Sequence, residues 1–231
     1  MRKIKLNFKQ AIRYAMVVLG CVTLLSACKK EDQYNFDDAV PAYVNFINAS
    51  TDAGSAQLYV QDILRTPTAV SYGNASGYYK TYLGAQDVAV KKPDGTSTLI
   101  ASTGQFDANA SYTYFLVGQS GSLGLVNITD DLVAPASGKA KIRFVNAASN
   151  VNAANLNLGS STVASGVAFK GVSSSIEVSA GSYVLTVSGT PFISSALNTT
   201  FESGKIYTVY AKGLAYATGN SALSVGVFTN K

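Results

Sequence analysis

The chain has 231 residues, no His and no Trp, and 18 basic against 13 acidic side chains. Five of the basic side chains lie in residues 1–27, so the remainder has 13 of each sign and lacks the clustered positive charge of a nucleic-acid groove. The absence of His excludes a Ser-His-Asp triad, a His-Cys dyad and any His metal ligand.

The N-terminus has the pattern of an export leader. Basic residues come first, and the apolar run that follows (residues 14–27) is shorter than the roughly 20 residues of a membrane-spanning helix. The run ends in Leu-Ser-Ala-Cys at residues 25–28, which resembles the lipobox of bacterial lipoproteins, where the Cys is lipidated and the chain is cut before it. We therefore expect residues 1–27 to be a signal peptide and Cys28 to carry lipid. The alternative is an uncleaved or conventionally cleaved leader with an incidental Cys28.

Residues 28–41 are predicted to be the lipidated Cys and a polar tether. Lys30, Glu31 and Asp32 resemble the short tract that sends some Gram-negative lipoproteins to the outer face of the outer membrane, although an ordinary solvated tether would look the same. We expect a lipid-anchored protein of the outer membrane that faces the periplasm or the cell surface, with the membrane as its first partner.

An internal repeat is the strongest signal in the remaining chain. Residues 42–49 match residues 140–147 at an offset of 98, with four of the eight positions identical. Later matches keep nearly the same spacing: Tyr72/Phe169, Ser76/Ser173, Gly84/Gly181, Val90/Val187, Phe106/Phe201, Tyr112/Tyr207 and Gly118/Gly213. This period is too long for a solenoid and suits a small all-β domain. We predict one domain over residues 42–130, a linker over 131–139 and a second domain over 140–231.

Apolar residues alternate with polar ones within each copy, which is the period of a β-strand. In the second copy this alternation places Lys141 and Arg143 on a face that looks to water. Turn residues separate the runs, and several short strands of this kind predict a β-sandwich. The expected core is Phe46, Leu58, Tyr72, Val88 and Val90 in copy one, and Phe144, Leu156, Phe169, Leu185 and Val187 in copy two.

Three motifs point to a known family. A first strand ends in a small-residue loop at residues 46–53, a Gly precedes a Tyr/Val strand at 180–187, and Gly-Lys-Ile-Tyr-Thr stands at 204–208. Over about residues 42–228 the chain resembles the tandem extracellular domains called domain of unknown function 4397, which are common in bacterial lipoproteins. The resemblance implies an all-β fold of two tandem immunoglobulin-like antiparallel β-sandwich domains. It implies export but no activity, because the family has none assigned.

The chain departs from that family in the loop after the first strand, which usually reads His-Ala-Ser-Pro-Asp-Ala. Asn48 and Asn146 replace the His, and Thr51 replaces the Pro. Copy two also has Ala148 and Asn150 in place of the Ser and the Asp. If the loop carries chemistry in the family, copy two should lack it, and copy one lacks the imidazole.

Acidic residues offer little for catalysis or metal binding. Asp52 and Asp87 could form a pair of acids, but nothing in the sequence sets them on facing walls, and Asp52 is expected to close a turn through its own backbone. Asp130 and Asp131 could hold Ca²⁺, but that ion needs six to eight oxygen ligands, which favours a solvated linker. We expect no enzymatic activity, no cofactor and no metal.

Exposed aromatic side chains are the remaining candidates. Tyr78 and Tyr82 have no aromatic counterpart in copy two, and strand alternation places them on one face with Lys80 between them. Such a shelf suits a glycan or an envelope protein partner, and the alternative is that the rings cover a sheet edge. The sequence thus predicts a non-catalytic binding or structural module of the cell envelope. The alternative functions are an accessory glycan-binding lipoprotein of a glycan-uptake system and an adhesion or fimbrial component.

Overall fold

A computed structural model describes residues 40–189 and 191–231. The predicted signal peptide, the lipidation site at Cys28 and most of the tether lie outside these residues. In the described ranges, no helix is long and apolar enough to cross a membrane. A short 3-10 helix (Gly219–Ser221) accompanies an otherwise all-strand architecture, so the predicted all-β fold is confirmed.

The first copy contributes eight strands to two sheets. They are β1 (Ala42–Asn48), β2 (Gln57–Val60), β3 (Ile63–Leu64), β4 (Ala75–Thr81), β5 (Gly84–Lys91), β6 (Thr98–Phe106), β7 (Ser111–Val117) and β8 (Gly124–Thr129). One sheet has the order β4-β1-β7-β8 and the other has the order β3-β2-β5-β6. Neighbouring strands run antiparallel, except that β1 and β7 run parallel at the centre of the first sheet.

The second copy repeats this arrangement. Its strands are β9 (Lys139–Asn146), β10 (Ala154–Leu158), β11 (Ser161–Val167), β12 (Ile176–Ser179), β13 (Gly181–Gly189), β14 (Phe192–Ile193), β15 (Leu197–Phe201), β16 (Ile206–Lys212) and β17 (Ser224–Thr229). One sheet has the order β12-β9-β16-β17, with β9 and β16 parallel. The other has the order β11-β10-β13-β14, and β15 also pairs with β13.

Each copy encloses its own apolar cluster between its two sheets. Of the predicted core residues, Phe46, Leu58, Val88 and Val90 are fully buried in copy one, as are Phe144, Leu156, Leu185 and Val187 in copy two. Side chains of this size each stabilise the fold by roughly 1.5–3 kcal/mol when fully buried. The prediction was wrong for Tyr72 and Phe169, which are only partly buried. They follow the sandwich strands in loops, and Phe169 packs against a third cluster.

Matching hydrogen bonds fix the turns of both copies. The hydroxyl of Tyr112 accepts from the backbone N–H of Asp107 at 2.9 Å, and that of Tyr207 accepts from Glu202 at 3.0 Å. Each bond spans five residues and forms the tyrosine corner of immunoglobulin-like sandwiches. The Gly-Lys-Ile-Tyr-Thr motif at residues 204–208 therefore marks a turn-to-strand junction rather than a site of chemistry.

The two copies pack through corresponding faces of their first sheets. A third apolar cluster joins Ile47 and Phe115 of copy one to Val145 and Tyr210 of copy two, and the rings of Phe115 and Tyr210 meet at 5.4 Å between centroids. Both pairs occupy equivalent positions of the repeat. The contact therefore has the character of an isologous interface, in which the same surface of each partner is used.

This packing corrects the predicted solvent face of β9. Lys141 and Arg143 are buried, although strand alternation alone places them in water. The face of β9 that carries them covers the outer side of copy one's first sheet instead of facing solvent. As a result, β9 and β16 are buried on both faces, like β1 and β7.

Candidate functional site

The loop after the first strand follows Asn48, which replaces the family's His. Asn48 is fully buried, and its Nδ2 donates to the carbonyl oxygens of Gly54 at 2.8 Å and Val70 at 3.0 Å. Its Oδ1 accepts from the backbone N–H of Ser50 at 3.2 Å. Both amide protons and one acceptor position of the amide are thus used inside the chain, and the buried side chain has no proton left to donate to a substrate.

Asn146 repeats this arrangement in copy two. Its Nδ2 donates to the carbonyl oxygens of Val151 at 2.7 Å and Val167 at 2.9 Å, and its Oδ1 accepts from Ala148 at 3.2 Å. Both copies therefore use this position to tie the first loop to a later segment of the same domain. The position has a structural role in this chain.

Asp52 and its counterpart Asn150 hold the loop between the last two strands of each copy. Oδ1 of Asp52 accepts from the backbone N–H of Ser120 at 2.9 Å and from the Ser50 hydroxyl at 3.4 Å, so its backbone partner lies in a later loop and not in its own turn as predicted. Asn150 exchanges two hydrogen bonds with the backbone of Ala215, at 2.8 and 3.0 Å. The Asp52 carboxylate and the Asn150 amide therefore both anchor this loop through hydrogen bonds to its backbone.

The predicted binding residue Tyr78 lies at the contact between the two copies. Its hydroxyl donates to Oδ2 of Asp130 at 2.6 Å and accepts from Nδ2 of Asn230 at 2.7 Å. Its ring packs against that of Phe228 with centroids 5.9 Å apart. Since Asn230 and Phe228 belong to copy two, Tyr78 is a bridge between the copies.

Five side chains close a ring of hydrogen bonds around this bridge, called the interface ring below: Tyr78, Asp130, Arg143, Thr208 and Asn230. Arg143 donates to Asp130 and, through Nε, to the Thr208 hydroxyl at 2.9 Å. Thr208 donates to Oδ1 of Asn230 at 2.7 Å, and Asn230 donates to Tyr78. The ring returns to Asp130 through the Tyr78 hydroxyl.

The charged pair of the interface ring is almost fully removed from solvent. The side chain of Asp130 is 1% exposed and that of Arg143 is 9% exposed. Burial raises the pKa of the Asp130 carboxyl, and the Arg143 guanidinium and the hydroxyls of Tyr78 and Thr113 act in the opposite direction. Burial, with the neighbouring Asp130 charge, also raises the pKa of Tyr78. The Tyr78 hydroxyl therefore keeps its proton and remains a donor at neutral pH.

The predicted solvated linker at Asp130 and Asp131 needs correction. Asp130 is a buried member of the interface ring, and Asp131 pairs with Nζ of Lys141 at 2.9 Å. The space beside these groups has a volume of about 10 Å³. Across residues 40–189 and 191–231, no group of three or more Asp, Glu or Cys side chains is arranged to hold a metal ion.

Tyr82 follows the end of β4 and lies apart from the interface ring. The guanidinium of Arg65 stacks over its ring, 4.3 Å from the centroid. The structure thus gives Tyr78 and Tyr82 different partners within the chain instead of one shared shelf. A role for either ring in binding a further molecule stays a prediction.

Arg143, Thr208 and Asn230 were not found as a group by the sequence analysis. Thr208 and Arg143 lie on adjacent parallel strands, and Asn230 lies beyond the last strand. One signal was available in the sequence: Arg143 and Asp130 stand where the other copy has Asn45 and Asn230. The positive charge is thus present only in copy two and the negative charge only in copy one. A contact between two unequal faces requires such opposite charges.

Comparison with known proteins places the chain in a family without a described activity. The family model described as "Domain of unknown function (DUF4397)" matches residues 42–158, which span copy one and the first two strands of copy two. No curated protein sequence matches the chain.

Two solved structures show a remote likeness. One is a carbohydrate-binding module of family CBM26 from Eubacterium rectale Amy13K in complex with maltoheptaose, with 9% identity, a TM-score of 0.28, and coverage of 83% of this chain and 97% of that one. The other is a putative cell adhesion protein from Bacteroides eggerthii, with 11% identity, a TM-score of 0.22, and coverage of 83% and 96%. Scores this low do not indicate a shared function.

Proposed function

Because this chain belongs to the DUF4397 family, we propose that it is a lipid-anchored protein of the cell envelope that acts as a non-catalytic binding or structural module. Residues 42–130 and 140–231 are its two β-sandwich domains, and residues 131–139 join them. Cys28 carries the lipid at the outer membrane, and the polar tether separates the domains from the headgroups.

The interface ring is the observation that carries the non-catalytic part of this proposal. A catalytic carboxylate or Tyr needs access to a substrate proton within hydrogen-bond reach. Here Asp130 accepts hydrogen bonds from Tyr78 of its own copy and from Arg143 of copy two, and Tyr78 also accepts one from copy two. Their chemistry is used to hold two sandwiches in one arrangement, which suits a module that works through its surfaces.

The anchor is tested with Cys28→Ala, and Cys21→Ala is the matched control because it changes the other Cys of the leader. Each acyl CH₂ buried in the bilayer contributes about 0.8 kcal/mol, so stable anchoring depends on the chains attached to Cys28. In cells fed an alkyne-labelled fatty acid, Cys28→Ala should lose the label and leave the membrane fraction, while Cys21→Ala should keep both. A Cys28→Ala protein that retains the label and the membrane fraction would refute the lipobox assignment.

An accessory glycan-binding lipoprotein is the finer role that one observation favours over an adhesion or fimbrial component. The second sheet of copy two (β10, β11, β13, β14 and β15) has no Lys, Arg, Asp or Glu in its strands, which suits a neutral ligand. That surface lies away from Tyr78, whose hydroxyl is engaged by Asp130 and Asn230.

A further inference from the structure

The second sheet of copy two differs from every other sheet of the described chain in its composition. Its strands β10, β11, β13, β14 and β15 contain no Lys, Arg, Asp or Glu. The equivalent sheet of copy one carries Asp87 and Lys91 on β5, and Lys91 pairs with Asp62 at 2.9 Å. Since the two sheets share one architecture, the loss of charge is a property of the side chains in copy two and not of the fold.

Strand register identifies the side chains on the outward side of this sheet. Leu185 and Val187 face the core, so the residues that alternate with them face outwards. We call this outward side the charge-free face, and its central members are Asn157, Ser182, Val184, Thr186, Asn198 and Thr200. Five of the six carry a hydroxyl or an amide.

Several of these groups are already held in place by one another. The hydroxyls of Ser182 and Thr200 lie 2.9 Å apart across the strand pair. Nδ2 of Asn157 donates to the hydroxyl of Thr186 at 3.3 Å. A hydroxyl held by one bond still offers a lone pair or a proton to a ligand. These side chains are therefore partly ordered before binding, which reduces the entropy cost of binding a ligand.

A shallow groove runs over β13 and β15 on this face, with a volume of about 550 Å³. This volume falls within the roughly 300–1,000 Å³ of small-molecule sites. Val184 lies at its centre with 46% of its surface exposed and supplies an apolar contact between polar neighbours. Neighbouring outward side chains lie roughly 7 Å apart along a strand and about 5 Å apart across strands.

We propose that the charge-free face binds a neutral polysaccharide, laid along β13 and β15; this rests on the proposed function, which places the domain where extracellular glycans are met. A charged ligand would leave its charge without a partner on this face, and burying an unpaired charge is strongly unfavourable. A protein partner would find none of the Trp, Tyr or Arg anchors that dominate such interfaces among its central members. Sugar hydroxyls exchange hydrogen bonds to water for hydrogen bonds to Ser, Thr and Asn groups, and Val184 packs against the C–H side of a ring.

The repeat supplies both the test variant and its control. Val184 occupies in copy two the position that Asp87 occupies in copy one. Val184 pairs with Asn198 across the strands as Asp87 pairs with Thr103, and their offset of 97 residues equals that of Gly84 and Gly181. Val184→Asp therefore installs the residue that copy one tolerates at the same place. Asp87→Val is the reciprocal change on the sheet that we do not assign to binding.

The experiment is affinity electrophoresis of the detergent-solubilised full-length protein through gels that contain amylose, mixed-linkage β-glucan or galactomannan, with alginate as the acidic probe. The wild type should be retarded by at least one neutral polymer and not by alginate. Val184→Asp should weaken that retardation about tenfold or more, equivalent to about 1.4 kcal/mol, while Asp87→Val should not change it. Thermal unfolding of all three proteins should coincide, which excludes misfolding as the cause.

Three electrophoresis results would each overturn the inference. They are a wild type that no neutral polymer retards, a Val184→Asp protein that is retarded like the wild type, and a protein that alginate retards equally. If Val184→Asp instead abolishes a concentration-dependent self-association seen by ultracentrifugation, the face is a contact between copies of this chain and the glycan assignment falls. Lipidation of Cys28 is measured separately, so the failure of this inference is distinguishable from failure of the proposed function.

Discussion

Removing the acid of the interface ring tests whether it holds the two copies together. Asp130→Asn keeps the shape of the side chain but leaves the buried Arg143 without its hydrogen-bonded counter-charge, and a guanidinium cannot neutralise itself by losing its proton. Breaking a buried ion pair in this way costs about 3–5 kcal/mol. For a folded unit of this size, each kcal/mol corresponds to roughly 2–4 °C, so the melting temperature should fall by about 6–20 °C.

The opposite change should be milder. In Arg143→Asn the remaining carboxyl can take up a proton, which reduces the cost of the unpaired buried charge. Arg143 is among the groups that lower the pKa of Asp130, so its removal raises that pKa further above the unfolded value. A carboxyl with a raised folded-state pKa contributes stability below its unfolded pKa that is lost as the pH rises through the folded pKa. The stability of Arg143→Asn should therefore fall as the pH rises from about 4, and that of Asp130→Asn should lack this dependence.

The assay is urea unfolding followed by circular dichroism, over a double-mutant cycle. The double variant Asp130→Asn/Arg143→Asn carries at both positions the residues found at the equivalent places of the other copy, and it should be less destabilised than the sum of the single variants. The exposed pair Lys91–Asp62 is the matched control, because Asp62 is 88% exposed and Asp62→Asn should cost less than about 1 kcal/mol. A loss for Asp130→Asn no larger than that of the control, or strict additivity in the cycle, would refute the role given to the interface ring.

Two further predictions concern other polar groups. Asn146→Ala removes the donor to the carbonyl oxygens of Val151 and Val167, so the free energy of unfolding in urea should fall by about 1–3 kcal/mol; an unchanged value would show that this position is not structural. The backbone N–H groups of Ser97 and Thr96 lower the pKa of Asp94 to about 2, so an NMR titration should find that carboxyl ionised down to that pH, and an ordinary titration near pH 4 would contradict the turn geometry.

The repeat, the strands and most of the core could be predicted from the sequence because each depends on local pattern. A period of two marks the buried side of a strand, so Phe46, Leu58, Leu156 and Leu185 were identified correctly. Three motifs, at residues 46–53, 180–187 and 204–208, indicated the family, and the family model confirms it over residues 42–158. The tyrosine corner at Tyr207 gives the third motif a physical reason.

The contact between the copies was decided only by the tertiary structure. Alternation along β9 shows that Lys141 and Arg143 share one face, but it does not show what covers that face. The partners of Arg143 are Asp130, 13 residues away, and Thr208, 65 residues away, and no local rule relates them. The sequence alone determined that each copy would fold as a sandwich, because burial on one side of a strand has a period. Which outer faces meet, and where Tyr78 lies between them, depends on how two finished surfaces fit, and that information is spread over residues distant in the chain.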